Sequence, residues 1–214
     1  MKKSKYERYG VQLPELVERA VELAEKLNFP VMPKGRPVGF KGPASACIPE
    51  VGQLLRTLVA SKPGGRIAEH GTGAGIGTAW MASALLSGAK LISAEIDTRL
   101  AEAAKQLFKD CPNVEIRAGD CMDVLKDEPP FDLVFMDAGA RRYLAPEHWD
   151  SIVEMVKVGG QIVMDDLTPL ELWPPEWDDL VDLKRKFAFH NPHVVSAEVR
   201  TTKAQVALII TRSR

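Results

Sequence analysis

The chain has 214 residues, 45% of them hydrophobic and 27% charged, and its formal net charge is -1. That length and apolar content suit one domain over residues 1–214 with a core of its own, without a disulfide framework or structural metal. The near-neutral balance argues against a polyanion such as nucleic acid as partner, and no uncharged stretch approaches the roughly 18 apolar residues of a membrane span. The opening Met1-Lys2-Lys3-Ser4-Lys5 has no apolar run behind it, so it does not read as a secretory signal. Cys47, Cys111 and Cys121 are odd in number, widely spaced and without a CxxC, which reads as free thiols in a reducing compartment, the cytoplasm.

In chain order, apolar residues at helical spacing predict a helix over residues 14–27, stopped by Asn28-Phe29-Pro30. Residues 30–49 hold five prolines and three glycines and read as a long loop. A helix over 49–60 follows, and strands and helices then alternate. Strands are predicted at 66–69, 90–95, 114–118, 131–136 and 161–164, with helices at 77–87, 98–109, 121–125, 146–156 and 176–189. Gly159-Gly160 is read as closing the helix before the fifth strand. Strands at 194–200 and 205–211 end the series as an antiparallel pair at one edge. The expected fold is α/β: a Rossmann-like, doubly wound, mostly parallel sheet with helices on both faces.

The segment Glu69-His70-Gly71-Thr72-Gly73-Ala74-Gly75-Ile76-Gly77 leaves a strand and opens a helix, where glycines let backbone turn tightly and approach a ligand. Its spacing fails the dinucleotide pattern GxGxxG, because the final position falls on Ile76 or Thr78. What it carries is a carboxylate with glycines two and six positions on, which suits a ligand bearing an ammonium group and would repel a pyrophosphate. His70 reads as a histidine that positions backbone or faces solvent, not as a base. Glu95-Ile96 ends the second strand, 24 positions beyond Gly71, where an acid would meet a ribose hydroxyl pair, while Asp97 caps the next helix. Gly119-Asp120-Cys121 ends the third strand, and Asp120 is placed to accept from an adenine amino group, to cap a helix, or both. His148, His190 and His193 form no metal-ligand spacing.

Turn, ribose acid and adenine corner together resemble a class I S-adenosylmethionine-dependent methyltransferase. Pro49-Glu50-Val51-Gly52-Gln53-Leu54-Leu55, Phe131-Asp132-Leu133-Val134-Phe135-Met136-Asp137-Ala138 and Gly159-Gly160-Gln161-Ile162-Val163-Met164-Asp165-Asp166 resemble segments of the catechol and caffeoyl-CoA type O-methyltransferases. The similarity covers residues 46–212. It implies S-adenosylmethionine as cofactor, held by Glu69 (methionine amino group, directly or through backbone), His70, Gly71, Thr72, Gly73, Gly75, Glu95, Ile96, Gly119, Asp120, Cys121 and Asp137. It also implies a divalent cation such as Mg2+ on Asp137, Asp165 and Asp166, where the family has an Asp and an Asp-Asn pair. Asp137 is the one catalytic candidate. The family's lysine base falls on Ala140 in Gly139-Ala140-Arg141-Arg142-Tyr143, and a guanidinium does not give up its proton near neutral pH, so the base is unassigned.

The implied activity is methyl transfer to a small-molecule acceptor, most simply a hydroxyl, by a homodimer. Two alternatives stay open: a metal-independent N- or C-methyltransferase, and a cofactor-binding protein without catalysis. On the metal-free alternative, Asp165-Asp166 cap a turn before Pro169 and Asp137 contacts only the cofactor. Residues 1–48 are read as an N-terminal helix and lid loop, with Phe40-Lys41-Gly42-Pro43-Ala44-Ser45-Ala46 as the lid, and 49–214 as the cofactor-binding core. Trp173-Pro174-Pro175-Glu176-Trp177 reads either as the wall of an acceptor pocket or as local packing or a dimer contact.

Overall fold

A computed structural model describes residues 13–30, 46–138 and 144–214. The lid segment up to Ser45 and the run from Gly139 to Tyr143, with Ala140, lie outside the described residues. Helix α1 (Glu15–Lys26) buries Val17, Ala20 and Ala24. It ends where Asn28 takes a left-handed φ of 53°, which returns the Phe29 N–H to the Ala24 carbonyl at 2.9 Å. Helix α2 (Pro49–Ala60) begins on a proline, whose fixed φ suits a first helical position.

The alternating series then runs β1 (Arg66–His70), α3 (Ile76–Ala82), β2 (Lys90–Glu95), α4 (Thr98–Phe108), β3 (Val114–Ala118), α5 (Cys121–Val124) and β4 (Phe131–Met136). After it come α6 (Trp149–Glu154), β5 (Val156–Leu167), α7 (Leu183–His190), β6 (Val194–Arg200) and β7 (Val206–Arg212). Seven strands make one sheet in the order β3-β2-β1-β4-β5-β7-β6. The five strands from β3 to β5 are parallel, while β7 runs antiparallel between β5 and β6. The expected antiparallel pair is present, but β7 is the inner member and only β6 forms the edge.

Alternating strand residues feed two cores. Ile67, Leu91, Leu133, Phe135 and Val163 pack with Val17, Leu55, Trp80, Ala104 and Phe108 from α1 to α4. Ala68, Val134, Met136, Ile162 and Leu208 pack on the other face with Ile152 and Phe187 from α6 and α7. Each fully buried side chain of this size is worth about 1.5–3 kcal/mol against exposure. Where α2 meets α3, Gly52 lets the indole of Trp80 lie against backbone; a Cβ there would stand 2.4 Å from the ring.

Four elements differ from the sequence expectation, β5 among them: expected over 161–164, it runs from Val156 to Leu167. The helix expected over 77–87 ends at Ala82, where Ser83 Oγ donates to the Trp80 carbonyl and competes with the backbone ladder. The helix expected over 146–156 is a 3-10 turn (Pro146–His148) followed by the short α6, and Gly159-Gly160 lies inside β5. Between Phe131 and Leu133 on β4 the partner residue jumps from Val156 to Gln161, a bulge that Gly159 accommodates with φ 81°. The helix expected over 176–189 is split. A 3-10 turn forms at Pro175–Trp177, and α7 starts only at Leu183, after Asp182 caps it by accepting from Lys184 N and Arg185 N.

Candidate active site

The carboxyl ends of β1 to β5 open onto one side of the sheet, and the glycine turn follows β1 there. Gly71, Gly73 and Gly75 have φ of 92°, 54° and 85°, a left-handed conformation that side chains resist. The fit is also steric: a Cβ on Gly71 would stand 2.4 Å from Ala138 Cβ, and one on Gly73 would stand 2.8 Å from Phe29 Cζ. Gly71 N and Thr72 N both donate to the Ala94 carbonyl, at 2.8 and 3.2 Å, which ties the turn to β2.

Glu69 and His70 leave β1 on opposite faces and both are fully buried. Thr78 Oγ1 and Ser93 Oγ donate to Glu69 Oε2, the second at 2.6 Å, and Oε1 lies beneath Gly77. Burial outweighs these two hydrogen bonds and lifts the Glu69 carboxyl from 4.5 to about 8, with a further push from Glu95. The carboxyl is sealed under the turn and supports its backbone. The His70 imidazole does not face solvent, and neither ring nitrogen has a hydrogen-bond partner among the described residues. Burial pulls it from 6.5 to about 4, only partly opposed by Asp120. Its carbonyl does position backbone, accepting from Asp137 N at 3.1 Å and Ala138 N at 2.8 Å.

Glu95 closes β2 and accepts from Gly73 N at 2.7 Å and Asp97 N at 2.9 Å, so this carboxylate braces the turn from the neighbouring strand. Asp97 caps α4, as expected, with Arg99 N at 2.8 Å and Leu100 N at 3.2 Å. Ile96 between them is exposed. Gly119 N donates to the Glu95 carbonyl at 2.8 Å, and Asp120 caps α5 by accepting from Met122 N at 3.0 Å. Cys121 is buried beside it, and burial lifts its thiol to about 11, which keeps it protonated.

Asp137 directly follows β4, and Asp165 and Asp166 lie within β5 rather than in a turn before Pro169. One carboxylate oxygen from each of the three falls within 4.8 Å of the others. Consecutive strand residues ordinarily point to opposite faces. Here the β5–β7 register shifts between Met164 and Leu167, and Asp166 takes a left-handed φ of 59°, which turns its side chain to the same end as Asp165. Gln205 Nε2 donates to Asp166 Oδ1 at 3.1 Å and holds it from β7's side. Opposite oxygens around Ca2+ lie up to about 5 Å apart and around Mg2+ about 4 Å, so the trio has the reach and the donor chemistry for a hard divalent ion. Burial, then Asp165, Asp166 and Glu69, push Asp137 well above the usual carboxylate range, and Lys184 pulls it back.

Several residues at this end carry no sequence signal of their own kind. Thr78 and Ser93 hold Glu69; a serine amid the apolar run of β2 was the one available hint. Lys184 donates from Nζ to the Asp165 carbonyl. Cys47 is buried, its thiol raised by burial and then by the charges of Asp165, Asp137, Glu69 and Asp166. The tryptophans of the 173–177 segment pack on each other edge to face at 5.9 Å, with Trp173 Nε1 donating to the Thr168 carbonyl and the Arg185 guanidinium lying over its ring.

An O-methyltransferase family model matches residues 40–175. The chain is 32% identical over 133 residues to a catechol O-methyltransferase of Niastella koreensis, covering 58% of this chain and 59% of that one. It is 30% identical over 167 residues to a protein-L-isoaspartate O-methyltransferase of Pyrobaculum neutrophilum, covering 73% and 78%. The first of these matches spans little more than half of the relative's length. Its backbone is similar to that of an O-methyltransferase from Bacillus cereus solved in complex with SAH, with a TM-score of 0.74, 20% identity and 97% and 94% coverage. With the family model covering more than half of the sequence and the strand-end acids in order, the chain belongs to the O-methyltransferase family.

Proposed function

We propose that this chain transfers a methyl group from S-adenosylmethionine to a hydroxyl oxygen of a small-molecule acceptor. The observation that carries the reading is the succession of acids at the ends of β2, β3 and β4 (Glu95, Asp120 and Asp137) around a glycine turn, in a chain of this family. Glu95 meets the ribose hydroxyls while it braces Gly73, Asp120 with the Gly119 and Cys121 backbone receives the adenine amino group, and Ile96 covers the base. The turn from Glu69 to Gly75, with His70 and Thr72, and Asp137 take the methionine end. A nitrogen or carbon acceptor is the rival reading, and a panel of hydroxylated aromatics and amines decides between them.

In the reaction the acceptor loses its proton to solvent, and its oxygen then forms a bond to the methyl carbon as the carbon–sulfur bond breaks in line with it, releasing S-adenosylhomocysteine. The protein supplies proximity, alignment and exclusion of water. Asp137, Asp165 and Asp166 would hold a divalent cation such as Mg2+, which as a Lewis acid favours the acceptor's deprotonated form. Chelation by EDTA that leaves turnover intact contradicts the metal part alone.

Calorimetry with S-adenosylhomocysteine tests the whole reading: saturable binding is expected, and no binding at millimolar ligand refutes it. Asp137→Ala serves as the inactive control in methylation assays on catechols. The reading extends to a homodimer in the cytoplasm. The free thiols support the compartment, and the exposed Leu170, Leu172, Leu180 and Val181 beside the tryptophan pair support the dimer, which sedimentation would test. No described helix is long and apolar enough to cross a membrane.

A further inference from the structure

Four buried polar side chains from four parts of the chain meet beneath the glycine turn: Glu69 from β1, Thr72 from the turn itself, Thr78 from α3 and Ser93 from amid the apolar run of β2. None is more than 4% exposed. Ser93 links the others. Its Oγ lies 2.6 Å from Thr72 Oγ1 and 2.6 Å from Glu69 Oε2, the oxygen that also accepts from Thr78 Oγ1. Side chains thus join the turn to β1, β2 and α3, and Ser93 is the member with no part in the cofactor contacts proposed for the turn.

The geometry sets the direction of the hydroxyl protons. A serine hydroxyl carries a single proton but can accept twice. Ser93 gives its proton to Glu69, so at Thr72 it accepts, and the Thr72 proton is spent on Ser93. Thr72 is also the one residue between Gly71 and Gly75 whose side chain can make a hydrogen bond at all. Its neighbours Gly71 and Gly73 take φ of 92° and 54°, a conformation that glycine enters and leaves with equal ease. The Thr72 main chain is held on both sides, its N–H donating to the Ala94 carbonyl at 3.2 Å and its carbonyl accepting from Gly75 N at 2.8 Å. Ser93 and Ala94, adjacent on β2, therefore grip the same turn residue by side chain and by backbone.

We propose that Ser93 is a positioning residue for the cofactor: by fixing Thr72 it holds the glycine turn in the shape that receives the methionine end of S-adenosylmethionine. Its role rests on the reading of the turn as the cofactor site. A turn ordered before the ligand arrives loses less freedom on binding, and that saving appears as affinity. Ser93, fully buried, acts only through Thr72 and exchanges no proton with cofactor or acceptor.

The test is calorimetric titration of the full chain with S-adenosylhomocysteine, run on the wild type, Ser93→Ala, Thr72→Val and the double variant, well below their melting temperatures. Each single variant is expected to bind about tenfold more weakly, the weight of one buried hydrogen bond. Both cut the same link, so the double variant should stay within about threefold of the weaker single one, where independent losses would multiply to about a hundredfold. Unchanged affinity in either single variant, or a fully multiplied loss in the double one, overturns the proposal. A merely structural serine would lower the melting temperature of Ser93→Ala and leave its affinity for S-adenosylhomocysteine as it was, which is the first of those results. If Ser93→Ala does not fold, Ser93→Cys takes its place with the same outcomes, since a thiol fills the site but donates and accepts weakly. If the wild type itself fails to bind at millimolar ligand, the cofactor reading fails and the Ser93 role falls with it; wild-type binding beside an unaffected variant overturns the Ser93 role alone.

Discussion

Replacing Glu69 with glutamine should change how stability depends on pH far more than it changes the fold. The carboxyl is fully buried, and its proton affinity climbs from an ordinary 4.5 to about 8 in the native state. A raised acid binds its proton in the folded chain at pH values where the unfolded chain has lost it. The stability that it contributes is therefore complete below 4.5 and is lost as pH rises through 8. Each tenfold in proton affinity is worth about 1.4 kcal/mol, so the climb amounts to about 5 kcal/mol, nearly all of it between pH 4.5 and 8. Glutamine keeps the shape and an oxygen for Thr78 and Ser93 but does not titrate. Guanidinium unfolding of both proteins at half-unit steps from pH 4.5 to 8.5 gives a difference curve in which His70, common to both, cancels. The difference should move in favour of Glu69→Gln by about 1.4 kcal/mol per pH unit and flatten above 8. A difference that does not change with pH would show that Glu69 is ionised in the native state and would refute the reasoning.

The opposite limb belongs to His70. Its affinity falls from 6.5 to about 4, so its contribution is present above 6.5 and lost as pH falls through 4; His70→Met should remove an acid loss of about 3 kcal/mol, read from unfolding at pH 4 and 6.5. Gly52→Ala places a Cβ 2.4 Å from the Trp80 ring and should cost about 1–3 kcal/mol, seen as a lower melting temperature. Arg185→Met leaves Asp182 and Glu198 without their shared cation at a mostly buried position and should cost about 3 kcal/mol, or about 6–12 °C. Glu95→Gln weakens the acceptor for the Gly73 and Asp97 N–H groups and for a ribose; S-adenosylhomocysteine affinity should fall about tenfold or more by calorimetry, and an unchanged value would remove Glu95 from the cofactor site.

What could be read from the sequence was what local rules determine. The turn from Glu69 to Gly77 announces itself because three alternate left-handed positions, Gly71, Gly73 and Gly75, require glycine, and the strand-end acids follow because strands are short apolar runs with sharp ends. Asp97 was legible as a cap for the same reason. The destination of a side chain across a bulge was not. Asp165 and Asp166 come to one side only through the left-handed Asp166 and a register shift, neither of which has a periodic signature. Lys184 has no signature in the apolar spacing of residues 176–189, which reads as one helix; Asp182, a capping residue two positions before it, marks the true start. The burial of His70 was missed because a polar residue in a turn reads as solvated when strand packing is not in view. Strand order beyond β5 depends on long-range pairing, which composition does not encode.

The placement of β7 has a consequence for a chain made from its N-terminus. Among the described residues β5 is the longest strand, with 12 residues, and one of its edges is paired only by β7. From Leu167 to Val206 the ribosome must add about forty residues, which takes about 2–8 s at ordinary elongation rates. Throughout that interval the nascent protein displays an apolar edge rich in valine, isoleucine and methionine, open to pairing with other chains. β6 emerges first but, among the described strands, pairs only with β7, so it cannot shield that edge. Stalled translation within residues 168–205 should therefore release aggregation-prone fragments, whereas stalling after residue 212 should not.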